Sequence, residues 1–184
     1  KKKKMVQLAK GGLVTRLAKG AFSRGMKALK NIKVFCDSHN VEHILAYATS
    51  AIRESENGGE FIQDSIDRYG IKINAIPGTV EAELIGYAVQ HGVRLGNTPV
   101  LMVDIGGGSV EFILGNAKEF HFLTSKKIGV SRMTDIFKPS DPITATEIEK
   151  LEAHYREETS QLAEALQINR TNLIIGSSGV FFFF

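Results

Sequence analysis

Val103-Asp104-Ile105-Gly106-Gly107-Gly108-Ser109-Val110-Glu111 carries the strongest chemical signal in the chain. Three consecutive glycines after an apolar, strand-like run let the backbone turn tightly and present its N–H groups to an anion, because no side chain shields them. A phosphate fits such a nest. A Walker loop or a dinucleotide fingerprint would run into a helix here, whereas residues 110–114 continue as a strand, which disfavours both of those nucleotide classes. Asp104 and Glu111 flank the glycines at two strand ends, where their carboxylates could hold a divalent cation or position a water beside the phosphate. Ser109 adds a hydroxyl donor. The alternative is a glycine-rich hairpin turn with solvated acids. The flanking acids favour phosphate binding, since a simple two-residue turn needs no third glycine.

The elements that must hold this segment follow from apolar spacing. Phe22, Met26, Leu29, Ile32 and Phe35 recur at three- and four-residue steps and predict a helix over residues 21–36. Residues 43–49 form a short apolar strand that leads into Ser50, which is placed to cap a turn of helix. A helix over 60–69 should end at Gly70, a residue suited to a left-handed cap, before a short strand at 72–76. Pro77-Gly78-Thr79 breaks that strand, and residues 80–90 read as a helix burying Leu84, Ile85, Ala88 and Val89. Residues 100–105, 110–114 and 119–124 form a strand meander. Thr146 and Glu149 have capping-box spacing at the head of a helix reaching about residue 167, and a last strand spans 172–175. Strands alternating with helices predict an α/β fold whose largely parallel sheet is extended by antiparallel hairpin strands. Gly92, Gly96, Asn97 and Pro99 mark a crossing between two subdomains.

The 184 residues, 43% of them hydrophobic, suffice for one large domain or two small ones with a buried core. The net charge of +3 is misleading, because Lys1 to Lys4 supply four of the 23 basic residues and leave 19 against 20 acids. No clustered basic face follows, so nucleic acid is not an expected partner. Cys36 stands alone, which excludes an internal disulfide and the zinc patterns built on paired cysteines, and fits a reducing cytoplasm. No apolar stretch reaches the roughly 18 to 20 residues that span a bilayer, and no signal-peptide core follows the lysines. Neither membrane insertion nor export is expected. The runs Lys1 to Lys4 and Phe181 to Phe184 read as additions foreign to the native chain.

Asp104-Ile105-Gly106-Gly107-Gly108-Ser109-Val110-Glu111 resembles the second phosphate loop of the exopolyphosphatase and guanosine-pentaphosphate phosphatase family, part of the actin, sugar-kinase and heat-shock-chaperone superfamily. Three more segments agree in order and spacing. Ala48-Thr49-Ser50-Ala51-Ile52-Arg53-Glu54 resembles its threonine-serine-x-x-arginine segment, and Ile76-Pro77-Gly78-Thr79-Val80-Glu81-Ala82-Glu83-Leu84-Ile85 its glycine-x-glutamate-glutamate-alanine-arginine segment. Ile175-Gly176-Ser177-Ser178-Gly179 resembles its late glycine-serine loop, and Gly129-Val130-Ser131-Arg132-Met133-Thr134 a recurrent helix start.

The resemblance implies an actin-like (ribonuclease H-like) α/β fold, a mixed sheet flanked by helices, with residues 1–96 from the end of subdomain I and 97–184 from the start of subdomain II. It implies hydrolysis of phosphoanhydride bonds in polyphosphate or guanosine pentaphosphate. Glu81 would be the general base on the attacking water, while Arg53, Gly106, Gly107, Gly108, Ser109, Ser177, Ser178 and Gly179 would bind substrate phosphate. Asp104 and Glu111 would hold magnesium or another divalent cation, and a homodimer is an open expectation. The other readings are an ion pair of Arg53 with Glu54 or Glu56, helix-dipole stabilisation by Glu81, and, for the whole chain, a non-catalytic phosphate- or nucleotide-binding member. Two residues depart from the family pattern: Val80 replaces a glutamate and Glu83 an arginine, which alters the charge around the water and the substrate tail. The family's first phosphate loop has no match, so the chain is expected to begin downstream of it.

Other constellations carry less. Asn40 and the strand-like run after it argue against one helix face for His39 and His43, and His91, His121 and His154 are isolated. Gly176-Ser177-Ser178-Gly179-Val180 lacks the final glycine of a nucleophile elbow.

Overall fold

In the computed structural model, which describes Val6, Leu8 and residues 15–177, the polypeptide folds as two units, Lys1–Ile76 and Pro77–Phe184. The first contains α1 (Lys19–Asp37), β1 (Ala46–Ala48), α2 (Ser50–Arg53), α3 (Gly58–Tyr69) and β2 (Ile73–Ala75), with β1 and β2 parallel and Ala46 opposite Ile73. Its core gathers Leu17, Met26, Ile52, Phe61, Ile71 and Ile73. The helices α1 and α3 approach closely at Gly25, where a Cβ would lie 2.7 Å from the Phe61 ring. Gly70, at φ +67°, ends α3 in the left-handed conformation that its lack of a Cβ permits. Ser50 is the first residue of α2 and Thr49 occupies its N-cap position without a side-chain capping bond, so the capping role expected of Ser50 is not found.

The second unit contains α4 (Gly78–Gly92), β3 (Val100–Ile105), β4 (Val110–Gly115), β5 (Phe120–Lys126), α5 (Val130–Phe137), α6 (Ala145–Glu158), α7 (Ser160–Ile168) and β6 (Ile174–Gly176). Its sheet runs β5-β4-β3-β6, antiparallel across the meander and parallel between β3 and β6. This is the α/β fold with a mixed sheet flanked by helices that the sequence predicts, although the meander makes this sheet mainly antiparallel where a largely parallel one is expected. Strand side chains alternate between faces, and the register sorts them accordingly. Val100, Met102, Ile113 and Leu123 pack with Ala82 and Val89 of α4 on one face. Leu101, Val103, Val110 and Leu114 pack with Leu162 and Ala165 of α7 on the other.

Four expectations are corrected in this unit. The buried stripe of α4 is Ala82, Gly86 and Val89, whereas Leu84 is 50% exposed and Ala88 is also exposed. Small residues win because they let the helix lie close to the sheet: a Cβ on Gly86 would stand 2.6 Å from the Phe120 ring. The long helix is two helices meeting at Thr159, whose hydroxyl donates to the Tyr155 carbonyl at 2.7 Å. Its capping box is Thr144 with Glu147 rather than Thr146 with Glu149. Hydrogen bonds from Ser140 and Thr144 hold the Glu147 carboxyl down to about 2. The residues proposed as a crossing, 92–99, link α4 to β3 inside the second unit, because α4 packs on that unit's sheet.

Ile113 is fully buried where α4 meets the sheet. Ile113→Ala is expected to lower unfolding free energy by about 2–5 kcal/mol, read from urea denaturation; a loss well under 1 kcal/mol would show that α4 is not anchored there.

Candidate functional site

The alternation that buries Val100 and Met102 beneath α4 carries polar residues to the same face as the strands approach the glycine turn. Asp104 pairs directly with Glu111, and Glu111 with Ser125, so the three form one row across β3, β4 and β5. Directly paired residues project from the same face, here the one covered by α4. Glu81 lies in the first turn of that helix. The chain thus brings together Glu81, Asp104 and Glu111, which are dispersed in sequence.

Glu111 is the most constrained of them, with 1% of its surface exposed. The Ser125 hydroxyl donates to its Oε1 at 2.7 Å, and the Ser109 hydroxyl also bonds its carboxylate. Burial pushes the Glu111 carboxyl above its ordinary value; the two serines oppose this, and the negative charges of Glu81 and Asp104 reinforce it. The hydroxyl of Ser109, itself buried, is therefore directed to Glu111.

The glycine turn is oriented by its carbonyls. Gly106 closes the hairpin by donating to the Ser109 carbonyl at 2.9 Å. The Gly106 carbonyl accepts from Val130 N–H at 3.0 Å and the Gly107 carbonyl from Arg132 N–H at 3.1 Å, while Gly108 accepts from Gly129 N–H at 3.4 Å and Arg132 Nε at 2.9 Å. Each trans peptide points its N–H opposite to its C=O. With three successive carbonyls turned to the start of α5, the amides of Gly107, Gly108 and Ser109 are directed away from it. Among the described residues no backbone carbonyl accepts from these three amides. The turn thus leaves three amides unclaimed by backbone carbonyls among the described residues, with Asp104 and Glu111 at its two ends.

Arg53 belongs to the first unit, where its side chain is 18% exposed and donates to the Ile76 carbonyl at 2.9 Å and to Glu54 Oε1 at 3.1 Å. The pairing with Glu54 is the alternative raised from sequence. Ser177 extends the β3–β6 ladder by donating its amide to the Val103 carbonyl at 3.0 Å; Ser178 and Gly179 lie outside the described residues. Ser125 and Arg132 were not assigned roles from sequence. The antiparallel register places Ser125 opposite Glu111, and the helix start beginning at Gly129 held the signal for Arg132. Among the described residues no group of three or more His, Cys, Asp or Glu side chains is placed to hold a metal; Asp104 and Glu111 are directly paired across β3 and β4.

Known proteins resemble this chain in sequence and fold. The sequence model of the Ppx/GppA phosphatase family matches residues 1–183. An exopolyphosphatase structure from Cytophaga hutchinsonii superposes on 96% of this chain and 57% of its own, with a TM-score of 0.92 and 36% identity. A PPX-GPPA enzyme structure from Aquifex aeolicus gives 0.69 and 26% over the same shares. The bifunctional 3-dehydroquinate synthase/phosphatase of Fusobacterium nucleatum is 38% identical over 124 residues, 66% of this chain and 19% of that protein. The chain thus spans little more than half the length of these solved relatives.

A carboxyl raised by burial stabilises the fold when protonated: its contribution is complete below the unfolded value, ordinarily 4.5, and is lost as pH rises through the higher folded value. Glu111→Gln is therefore expected to be more stable than the parent near neutral pH, with the difference shrinking as pH falls through the raised folded value and levelling off below 4.5. Urea denaturation across that range tests this, and a difference independent of pH would refute it.

Proposed function

The chain belongs to the Ppx/GppA phosphatase family, and from that premise we propose that it hydrolyses phosphoanhydride bonds, releasing terminal phosphate from inorganic polyphosphate or guanosine pentaphosphate. The observation that carries this reading is the grouping of Glu81, Asp104 and Glu111 on one sheet face beside three outward amides.

In this reading a water attacks the terminal phosphorus in line with the bridging oxygen, the P–O bond to that oxygen breaks, and Glu81 takes the water's proton. The amides of Gly107, Gly108 and Ser109 bind phosphoryl oxygens, where fixed N–H dipoles stabilise charge without reorganising. The sequence resemblance proposes Arg53, Ser177, Ser178 and Gly179 for substrate phosphate as well. Magnesium fits the donor set, since it is commonly held by one or two carboxylates together with substrate phosphates. Asp104 and Glu111 supply such a pair; burial is the main reason that Glu111 is raised, and a cation would offset the smaller contribution from the charges of Glu81 and Asp104. When bound it neutralises charge on the phosphoryl oxygens.

Glu83, at the position of the family's arginine, accepts a hydrogen bond from the Tyr87 hydroxyl at 3.1 Å. A carboxylate there repels a polyanionic tail, which favours short substrates. Among the described residues no helix is long and apolar enough to cross a membrane, and a cytoplasmic setting is part of the proposal.

Glu81→Gln keeps the side chain's size and removes its basicity. Phosphate release from tripolyphosphate or guanosine pentaphosphate with magnesium is expected to fall about 10²- to 10⁴-fold. Unchanged release would rule out Glu81 as the base. A parent protein that binds these anions without releasing phosphate would be a non-catalytic binding member.

A further inference from the structure

We propose that Arg132 is a positioning residue for the phosphate-binding turn, acting through the Gly108 carbonyl to fix the direction of the Ser109 amide; this rests on the anion-binding reading of the turn. A glycine triplet suits close approach to phosphate because it lacks side chains, and the same property makes its peptide planes easy to rotate. A rotated Gly108–Ser109 peptide would present a carbonyl oxygen to the substrate in place of an N–H and repel it. An anion nest made of glycine therefore needs something outside the turn to hold each plane.

The start of α5 supplies that hold unevenly. Gly106 and Gly107 each have one ordinary amide bond, at 3.0 and 3.1 Å. The Gly108 carbonyl has only a long bond from Gly129 N–H, 3.4 Å, and its short partner is Arg132 Nε at 2.9 Å. Arg132 is 7% exposed, and a guanidinium stays charged in proteins, so this is a buried, charge-assisted bond. Through its backbone N–H on Gly107 and its side chain on Gly108, one residue holds two consecutive planes. Gly129 permits the approach: a Cβ there would stand 2.5 Å from Ser109 N and 2.6 Å from the carbonyl carbons of Gly107 and Gly108. The turn and the helix start are thus one device, with binding amides on one side and their fastening on the other.

The test compares the parent chain with Arg132→Met, Arg132→Lys and Gly129→Ala, measuring the Kd for inorganic tripolyphosphate by calorimetry, KM and kcat for phosphate release, and thermal melting. Arg132→Met is expected to weaken Kd and raise KM about tenfold or more through loss of the charge-assisted bond to the Gly108 carbonyl, with kcat much less affected. Arg132→Lys should recover part of that affinity, because an ammonium can still donate to the Gly108 carbonyl. Gly129→Ala should weaken binding in the same direction by pushing the turn off α5. Kd and KM unchanged in Arg132→Met, with only the melting temperature lowered, would overturn the proposal and leave Arg132 a packing residue. A parent chain that binds tripolyphosphate but releases no phosphate would defeat the hydrolase reading while the Kd comparison still decides the role of Arg132. A parent that binds no tripolyphosphate would overturn both.

Discussion

A carboxylate with 1% of its surface exposed is an expensive thing to keep inside a sheet, and much of the second unit is arranged around Glu111. Its position on β4 is fixed by the register that pairs it with Asp104 on one side and Ser125 on the other. Shifting that register by one residue would send Glu111 to the face packed by α7 and leave Ser125 and Asp104 without it. The apolar pairs further along the strands, Met102 with Ile113 and Ile113 with Leu123, enforce the register by burial beneath α4. The hydrophobic face and the acidic row are thus one alternating pattern, apolar along most of the strand and polar where it nears the turn.

The same helix that seals the face delivers Glu81. Its small residues Ala82 and Gly86 let it lie low over Ile113 and Phe120, which brings its first turn near Asp104 and Glu111. Burial raises the Glu111 carboxyl, and the charges of Glu81 and Asp104 add to that effect. On the other side of the turn, the start of α5 spends its amides on carbonyls of the glycine turn, a use of helix N–H groups that leaves the turn's own amides for an anion.

Wherever one physical signal dominated, the fold was legible in the sequence. The meander of β3, β4 and β5 follows from alternation and turn glycines, and Gly70 ends α3 as its lack of a Cβ suggests. The misreadings share a cause, namely that local pattern was asked to decide something set by packing. Leu84 is more apolar than Gly86, yet Gly86 faces the sheet because only a residue without a Cβ fits against the Phe120 ring. Thr144 and Thr146 both precede a glutamate by three residues, and the Ser140 contact to Glu147 accompanies the box at Thr144.

For the candidate site, the sequence by itself determined the residue types and the family: the glycine triplet with its flanking acids, Glu81 in a first helical turn and the ordered motifs were readable because each is a short, contiguous pattern. Only the tertiary structure decided that Asp104, Glu111 and Ser125 share a row, that Ser109 turns its hydroxyl to Glu111, and that Arg132 lies under the turn. It also decided that Arg53 pairs with Glu54 and the Ile76 carbonyl. These contacts depend on cross-strand register and on the direction of peptide planes, quantities set when separate segments pack and carried by no single stretch of residues.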